Sequence, residues 1–229
     1  LAWAKSLLER GEYKKLLSLQ PELAPQLAQD PDWLAMKAHG LADSGKIDEA
    51  KAEYERLLRE HPDHVPSQLG LARLSVRATD YAAANKRIDA VLKRSPNDAD
   101  ALQMKAEMFR REGDSKNAEM FFKQTLKADP NRIDVMVNLA VMALEQNNEA
   151  QAKQMLADLR KFSPDNPLAS YVESIIAFHQ QKYDAAWDLI QTPLKTHYQY
   201  PGVRTLAGGI ALRKGLYQQA ETLLSPVLE

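Results

Sequence analysis

An alanine recurs every 34 residues along this chain, and that spacing constrains the fold more than any other feature. The series comprises Ala50, Ala84, Ala118, Ala152, Ala186 and Ala220. A second series of small residues runs twelve positions earlier, at Ala38, Ala72, Ala106, Ala140, Ser174 and Gly208. A fixed period of this length is typical of stacked repeats, which bury their apolar faces against one another. The period therefore predicts an extended binding surface rather than an enclosed catalytic pocket.

Each unit contains two amphipathic stretches joined by a short turn. In residues 31–64, the stretches Asp32–Ser44 and Ile47–Glu60 predict two helices. Prolines end the second stretch of several units because proline lacks the amide donor that continues a helix. These boundary prolines are Pro62, Pro96, Pro130 and Pro164.

One unit departs from this pattern. Pro193 lies inside the second stretch of residues 167–200. We therefore expect a kink or an early end near Thr192, because proline disrupts a helix interior. An irregular linker from His197 to Pro201 should follow.

The small residues let two antiparallel helices approach closely, and large apolar residues four positions after each alanine fill the space beside them. The large residues are Tyr54, Ile88, Phe122, Leu156, Ile190 and Leu224. Together these positions resemble the tetratricopeptide repeat (TPR). In residues 99–132 the pattern comprises Leu102, Ala106, Phe109, Gly113, Ala118, Phe122 and Pro130.

The TPR resemblance implies an all-α, right-handed superhelix of helix–turn–helix units. Six units are expected at residues 31–64, 65–98, 99–132, 133–166, 167–200 and 201–229. Residues 1–30 are expected to form a partial or degenerate leading unit, since Pro21 and Pro25 interrupt its second helix.

The resemblance also implies which residues contact a partner, because the first helix of each TPR lines a concave groove. The groove residues expected in the N-terminal half are largely charged: His39, Leu69, Arg73, Arg77, Glu107, Arg110 and Arg111. Those expected in the C-terminal half are largely apolar: Val137, Val141, Leu144, Tyr171, Ile175, Phe178 and Leu212. The expected partner is a protein or peptide, bound as a helix or as an extended segment.

Two alternatives stay open for each half of this groove. Tyr171, Ile175 and Phe178 share one helix face, which serves either partner contact or core packing, and periodicity does not separate these roles. The arginines either grip a partner's carboxylate or belong to a solvated face balanced by Glu107 and Glu112.

Composition narrows the remaining classes of function. A net charge of −1 gives no reason to expect nucleic acid. The chain contains no cysteine, and His61 and His64 have no third ligand nearby in the sequence, so we expect neither metal nor cofactor. No catalytic motif is present, so we expect a non-catalytic protein. No apolar run reaches the length of a membrane span.

A narrower resemblance concerns one bacterial group. It is carried by the segments 48–51, 166–171, 176–178 with 182–183, 206–209 and 215–221. They are similar to the TPR-repeat lipoproteins of the PEP-CTERM/exosortase system, which implies an envelope or exopolysaccharide scaffold in the periplasm or anchored to the outer membrane. The alternatives are a cytoplasmic adaptor or regulator, or the TPR module of a larger enzyme. Because both ends look cut, we also expect an excised fragment that self-associates through them.

Overall fold

The computed structural model describes residues 7, 12–18, 29–198 and 200–228. Helices dominate these residues, and no strand occurs among them. A short helix, α1 (Tyr13–Ser18), precedes six helix pairs. The pairs are α2 (Pro31–Asp43) with α3 (Ile47–Glu60), α4 (Val65–Arg77) with α5 (Tyr81–Arg94), α6 (Ala99–Arg111) with α7 (Ser115–Ala128), α8 (Ile133–Glu145) with α9 (Glu149–Phe162), α10 (Pro167–His179) with α11 (Tyr183–Thr196), and α12 (Pro201–Arg213) with α13 (Tyr217–Leu228). The predicted all-α fold of repeated helix pairs is confirmed.

The chain divides into two compact units, Leu1–Gln124 (unit 1) and Thr125–Glu229 (unit 2), and the division falls within α7. In unit 1, α2 packs against both α3 and α4. In unit 2, α10 packs against its own partner α11 and against the first helices α8 and α12. First helices of successive pairs therefore lie side by side at α2 and α4 in unit 1, and at α8, α10 and α12 in unit 2.

The partial leading unit predicted for residues 1–30 lies mostly outside the described residues. Two of its described side chains, Leu7 and Leu16, are buried and pack with Trp33 of α2. Its assignment as a repeat remains a prediction.

The two series of small residues lie where the helices of a pair meet. All six alanines of the first series are at most 1% exposed. A Cβ atom added to Gly208 of α12 would lie 2.5 Å from Leu224 Cγ of α13. Between successive pairs, one added to Gly70 of α4 would lie 2.3 Å from Tyr54 Cζ of α3. The helices are thus closer at these points than a methyl group allows, which confirms the packing interpretation of Gly208.

The turn inside each pair uses a left-handed residue. Positive φ occurs at Gly45, Thr79, Gly113, Asn147, Gln181 and Gly215, again 34 residues apart. The next residue donates its amide hydrogen to a carbonyl five positions back, as Lys46 does to Leu41 at 2.9 Å and Asn148 does to Ala143 at 2.7 Å. This bond is the Schellman motif, which satisfies carbonyl groups left open at a helix end.

The expected early end at Pro193 is wrong. Helix α11 continues through Pro193 to Thr196, and the amide of His197 donates to the Pro193 carbonyl at 2.7 Å. Ile190 and Pro193 are both buried, so apolar packing offsets the backbone hydrogen bond that proline cannot make. Helix α12 then begins at Pro201, a favourable first position because its amide needs no partner there.

Candidate protein-interaction surface

The side-by-side first helices bring residues of successive repeats next to one another, on α2 and α4 in unit 1 and on α8, α10 and α12 in unit 2. In unit 1 the first helices α2, α4 and α6 carry the largely charged residues predicted to line a groove. In unit 2 the face of α8, α10 and α12 carries the apolar ones. We call the exposed side of these three helices the unit 2 face, represented by Val141, Phe178 and Leu212.

A polar cluster of His39, Asp43 and Arg77 ties α2 to α4 in unit 1. The Nε2 atom of His39 lies 3.3 Å from Asp43 Oδ2, and Arg77 Nη2 forms an ion pair with Asp43 Oδ1. Arg77 Nη1 also donates to the Ala42 carbonyl at 2.8 Å, at the helix end where a cation is favoured. Arg77 therefore joins two helices of the fold.

Hydrogen bonding sets the charge state of Asp43. Burial acts to raise its pKa, but hydrogen bonds from His39 and Arg77 outweigh burial and lower the pKa to about 2. Asp43 is therefore ionised at neutral pH and neutralises part of the positive charge of this face.

The other charged groove residues differ in exposure. Arg73 is partly buried near Tyr54, whose pKa burial raises to about 12. Glu107 accepts a hydrogen bond from Gln103 Nε2 at 3.1 Å. Arg110 and Arg111 are exposed at the end of α6 and form no ion pair within the described part of the chain. They therefore stay available to a partner's carboxylate, and their role in binding remains a prediction.

Five of the apolar residues predicted for the groove lie in the core. Their exposed fractions are small: Leu69 2%, Val137 1%, Leu144 3%, Tyr171 5% and Ile175 8%. The ring of Tyr171 meets that of Tyr200 edge-on, with centroids 5.9 Å apart. Of the two alternatives, burial favours core packing for these side chains, and contact with a partner remains an untested prediction.

The remaining three apolar residues reach solvent on the unit 2 face. Leu212 is 48% exposed, and Val141 and Phe178 are partly buried. The Phe178 ring packs edge-on against Tyr183, with centroids 5.7 Å apart, so its position is fixed by its own helix pair. Gly209 lies beside it, and a Cβ atom there would be 4.0 Å from Phe178 Cζ. The surface therefore presents the Phe178 ring on α10 and an exposed leucine on α12.

A cleft on other helices of unit 2 was not anticipated from the sequence. It has a volume of about 460 Å³ and is lined by Leu126, Pro130, Met136, Met155, Asp158, Lys161 and Phe162. Phe162 is 50% exposed at the end of α9. The sequence signal for this cleft was the apolar Phe162 at the end of a predicted helix. Only packing brings it near Met136 of α8 and Leu126 at the end of α7.

Metal ligation and membrane insertion each require a recognisable arrangement of residues. Among the described residues, no group of three or more His, Cys, Asp or Glu side chains is arranged to hold a metal ion. Within the same residues, no helix is both long and apolar enough to cross a bilayer.

Comparison with known proteins places these observations in context. A family model described as tetratricopeptide repeat matches residues 41–108 and 109–174. The cellulose synthase operon protein C of Pseudomonas fluorescens (strain SBW25) is 27% identical over 154 residues, which cover 63% of this chain and 12% of that protein. The TPR repeat-containing protein PA4667 of Pseudomonas aeruginosa is 24% identical over 193 residues, covering 81% of this chain and 33% of that protein. The chain thus spans at most a third of these curated relatives.

A solved structure shows the same fold. The crystal structure of a tetratricopeptide repeat protein from Parabacteroides merdae superposes with a TM-score of 0.67 at 16% identity. The superposition covers 98% of this chain and 89% of that one. At this identity the likeness concerns the fold alone.

Proposed function

The chain belongs to the tetratricopeptide repeat family, whose members are scaffolds for protein interaction, and we propose that it binds a protein partner through the unit 2 face within a bacterial envelope or exopolysaccharide assembly. The observation that carries the proposal is the half-exposed Leu212 on α12, together with the partly buried Phe178 on α10, the first helix of the preceding pair. Apolar side chains grouped on an exposed helical face favour burial against a partner.

Two similarities to other proteins support the proposed envelope or exopolysaccharide assembly. The relative from Pseudomonas fluorescens is named for a cellulose synthase operon, and cellulose is a polysaccharide. The narrower sequence resemblance points to lipoproteins of the PEP-CTERM/exosortase system and thus to exopolysaccharide loci. Both favour a scaffold that works beside the synthesis or export of a polymer, with catalysis supplied by another protein.

A genetic test separates the setting from the binding face. The gene for the full-length protein is deleted in its source bacterium, and secreted polysaccharide is quantified after complementation with wild type, Leu212→Gln or Met120→Gln. Met120 is the matched control because it is 43% exposed but lies on α7, a second helix. We expect deletion to lower secretion, and wild type and Met120→Gln to restore it, whereas Leu212→Gln does not.

The complementation experiment and the sequence of the full gene together separate the alternatives. Unchanged secretion after deletion contradicts the polysaccharide setting and favours a cytoplasmic adaptor. Full complementation by Leu212→Gln retains the setting but contradicts the role of the unit 2 face. A catalytic domain encoded in the same gene would favour the third alternative, a TPR module of a larger enzyme.

A further inference from the structure

The cleft of unit 2 is bordered by an aromatic side chain that the packing of the repeats does not require. Phe162 ends α9, lines the cleft and is half exposed. At the same position in other repeats, at intervals of 34 residues, the chain carries Glu60, Arg94, Ala128 and Thr196. A second helix of this fold therefore forms with a charged, small or polar residue at this position. A half-exposed ring beside an apolar cleft favours burial against a surface outside the chain.

The wall of the cleft that α9 forms carries one charge of each sign. Asp158 and Lys161 both line the cleft and lie about one helical turn apart. Asp158 accepts a hydrogen bond from Gln154 Nε2 at 3.2 Å, but within the described part of the chain neither charge belongs to an ion pair. The neighbouring Arg160, in contrast, is paired with Glu173 at 2.8 Å. The carboxylate and the ammonium group at the cleft therefore stay available to a partner.

This wall is complementary to itself under two-fold symmetry. Met155, Asp158 and Phe162 follow one another at intervals of three and four residues, so they share one face of α9 over about 10 Å. When two copies of α9 run antiparallel and cross near Leu159, Asp158 of each copy faces Lys161 of the other. The same crossing brings each Phe162 ring to Met155 of the other copy, and a thioether makes favourable contacts with an aromatic ring.

We infer that two copies of this chain associate through the cleft, with α9 antiparallel to α9 and reciprocal ion pairs between Asp158 and Lys161. A symmetric dimer uses one patch twice, which requires the self-complementarity that this wall has. Each Phe162 enters the cleft of the other copy, whose volume of about 460 Å³ lies in the range that holds ligands larger than one phenyl ring. Contact along one helix buries less area than a standard stable interface, so the dimer is weak and reversible.

The inference goes beyond the proposed function, because it concerns a different surface. None of Val141, Phe178 and Leu212, which represent the unit 2 face, lines the cleft. It also differs from self-association through the chain ends, since the contact lies on the last two turns of α9.

Sedimentation velocity of the complete 229-residue chain over a range of concentrations tests the dimer. Asp158→Lys gives each cleft two positive charges, Lys161→Asp gives it two negative charges, and the combined variant restores one of each sign. Lys195→Asp is the matched control, since Lys195 is exposed at the equivalent position of α11. Circular dichroism and thermal unfolding establish that each variant is folded.

We expect wild type to dimerise with increasing concentration. Asp158→Lys alone and Lys161→Asp alone should each weaken dimerisation about tenfold or more, because like charges then face each other across the axis. An equimolar mixture of these two variants should dimerise as wild type does, and so should the combined variant. Phe162→Gln should weaken dimerisation to a similar extent because it removes the apolar anchor, whereas Lys195→Asp should leave it unchanged.

Several results would overturn the inference. Wild type that stays monomeric at every concentration contradicts it directly. Dimerisation of either single variant at wild-type strength contradicts it as well, because it places the contact elsewhere, such as at the chain ends. Loss of dimerisation in Leu212→Gln would assign the contact to the unit 2 face instead. A mixture of the two folded charge variants that stays monomeric would exclude the reciprocal ion pairs.

Discussion

Non-glycine residues at the left-handed turn positions should lower the free energy of unfolding relative to glycine. Thr79 has a φ of 59°, is exposed, and makes one side-chain hydrogen bond, from Oγ1 to the Ala78 carbonyl at 2.7 Å. The equivalent position in the next repeat is Gly113, with a φ of 79°. We predict that Thr79→Gly stabilises unit 1 and that Gly113→Ala destabilises it.

The magnitude follows from the backbone. A non-glycine residue in the left-handed region costs about 1–2 kcal/mol, and more so if it is β-branched. Replacing threonine by glycine also raises the conformational entropy of the unfolded chain, which offsets about 0.5–1 kcal/mol of that gain. Water replaces the exposed hydrogen bond of Thr79, so Thr79→Gly should stabilise by about 0.5–1 kcal/mol. A Cβ at Gly113 meets no atom within 4 Å, so Gly113→Ala should destabilise by a similar amount from φ alone.

Urea unfolding monitored by circular dichroism measures both effects, provided that the slope with denaturant is unchanged. Asn147→Gly serves as an internal reference, since Asn147 has a φ of 57° but asparagine tolerates this region, and its effect should be close to zero. Hydrogen exchange of amides in α4 and α5 assigns the change observed for Thr79→Gly to unit 1. The reasoning is refuted if Thr79→Gly destabilises the protein, or if the two unit 1 variants change stability in the same direction.

The remaining predictions concern packing and pH. Gly70→Ala should destabilise by about 1–3 kcal/mol, because its Cβ would lie 2.3 Å from Tyr54 Cζ, whereas Gly209→Ala should not lower the melting temperature. The pKa of Asp43 is lowered from 3.8 to about 2 on folding, so its stabilising contribution is complete above pH 3.8 and is lost as the pH falls toward 2. The difference in urea midpoint between wild type and Asp43→Asn should therefore shrink across that range, and a constant difference would contradict the ion pair with Arg77.

The helices of this fold were predictable because the repeating residues, apolar side chains and boundary prolines, act on the local backbone. The stretch Ile47–Glu60 was predicted from its apolar spacing and from Pro62, and α3 has those bounds. The left-handed turns were not predictable at Thr79 and Gln181, since neither residue type favours positive φ. Packing of the two flanking helices imposes the turn at these positions.

The sequence predicted which helices carry the candidate site, but not which of their side chains are exposed. Periodicity places Tyr171 and Phe178 on one face of α10, but their neighbours decide their burial. Tyr171 is buried against α12, where its hydroxyl oxygen would lie 2.6 Å from a Cβ atom added to Gly202. Phe178 would lie 4.0 Å from a Cβ atom added to Gly209, and it is only partly buried. Arg77 likewise appeared free in the sequence, because Asp43 lies 34 positions earlier and reaches it only after α2 and α4 pack together.

Site-specific photo-crosslinking tests the central claim, the binding of a protein partner by the unit 2 face, most directly. A photoreactive amino acid replaces Leu212 in the full-length protein inside its source bacterium, and a second strain carries it at Met120. The two positions are 48% and 43% exposed, so they differ in location rather than accessibility. We expect one discrete protein adduct from position 212 and none from position 120. Equal crosslinking from both positions, or none from position 212, would contradict the account.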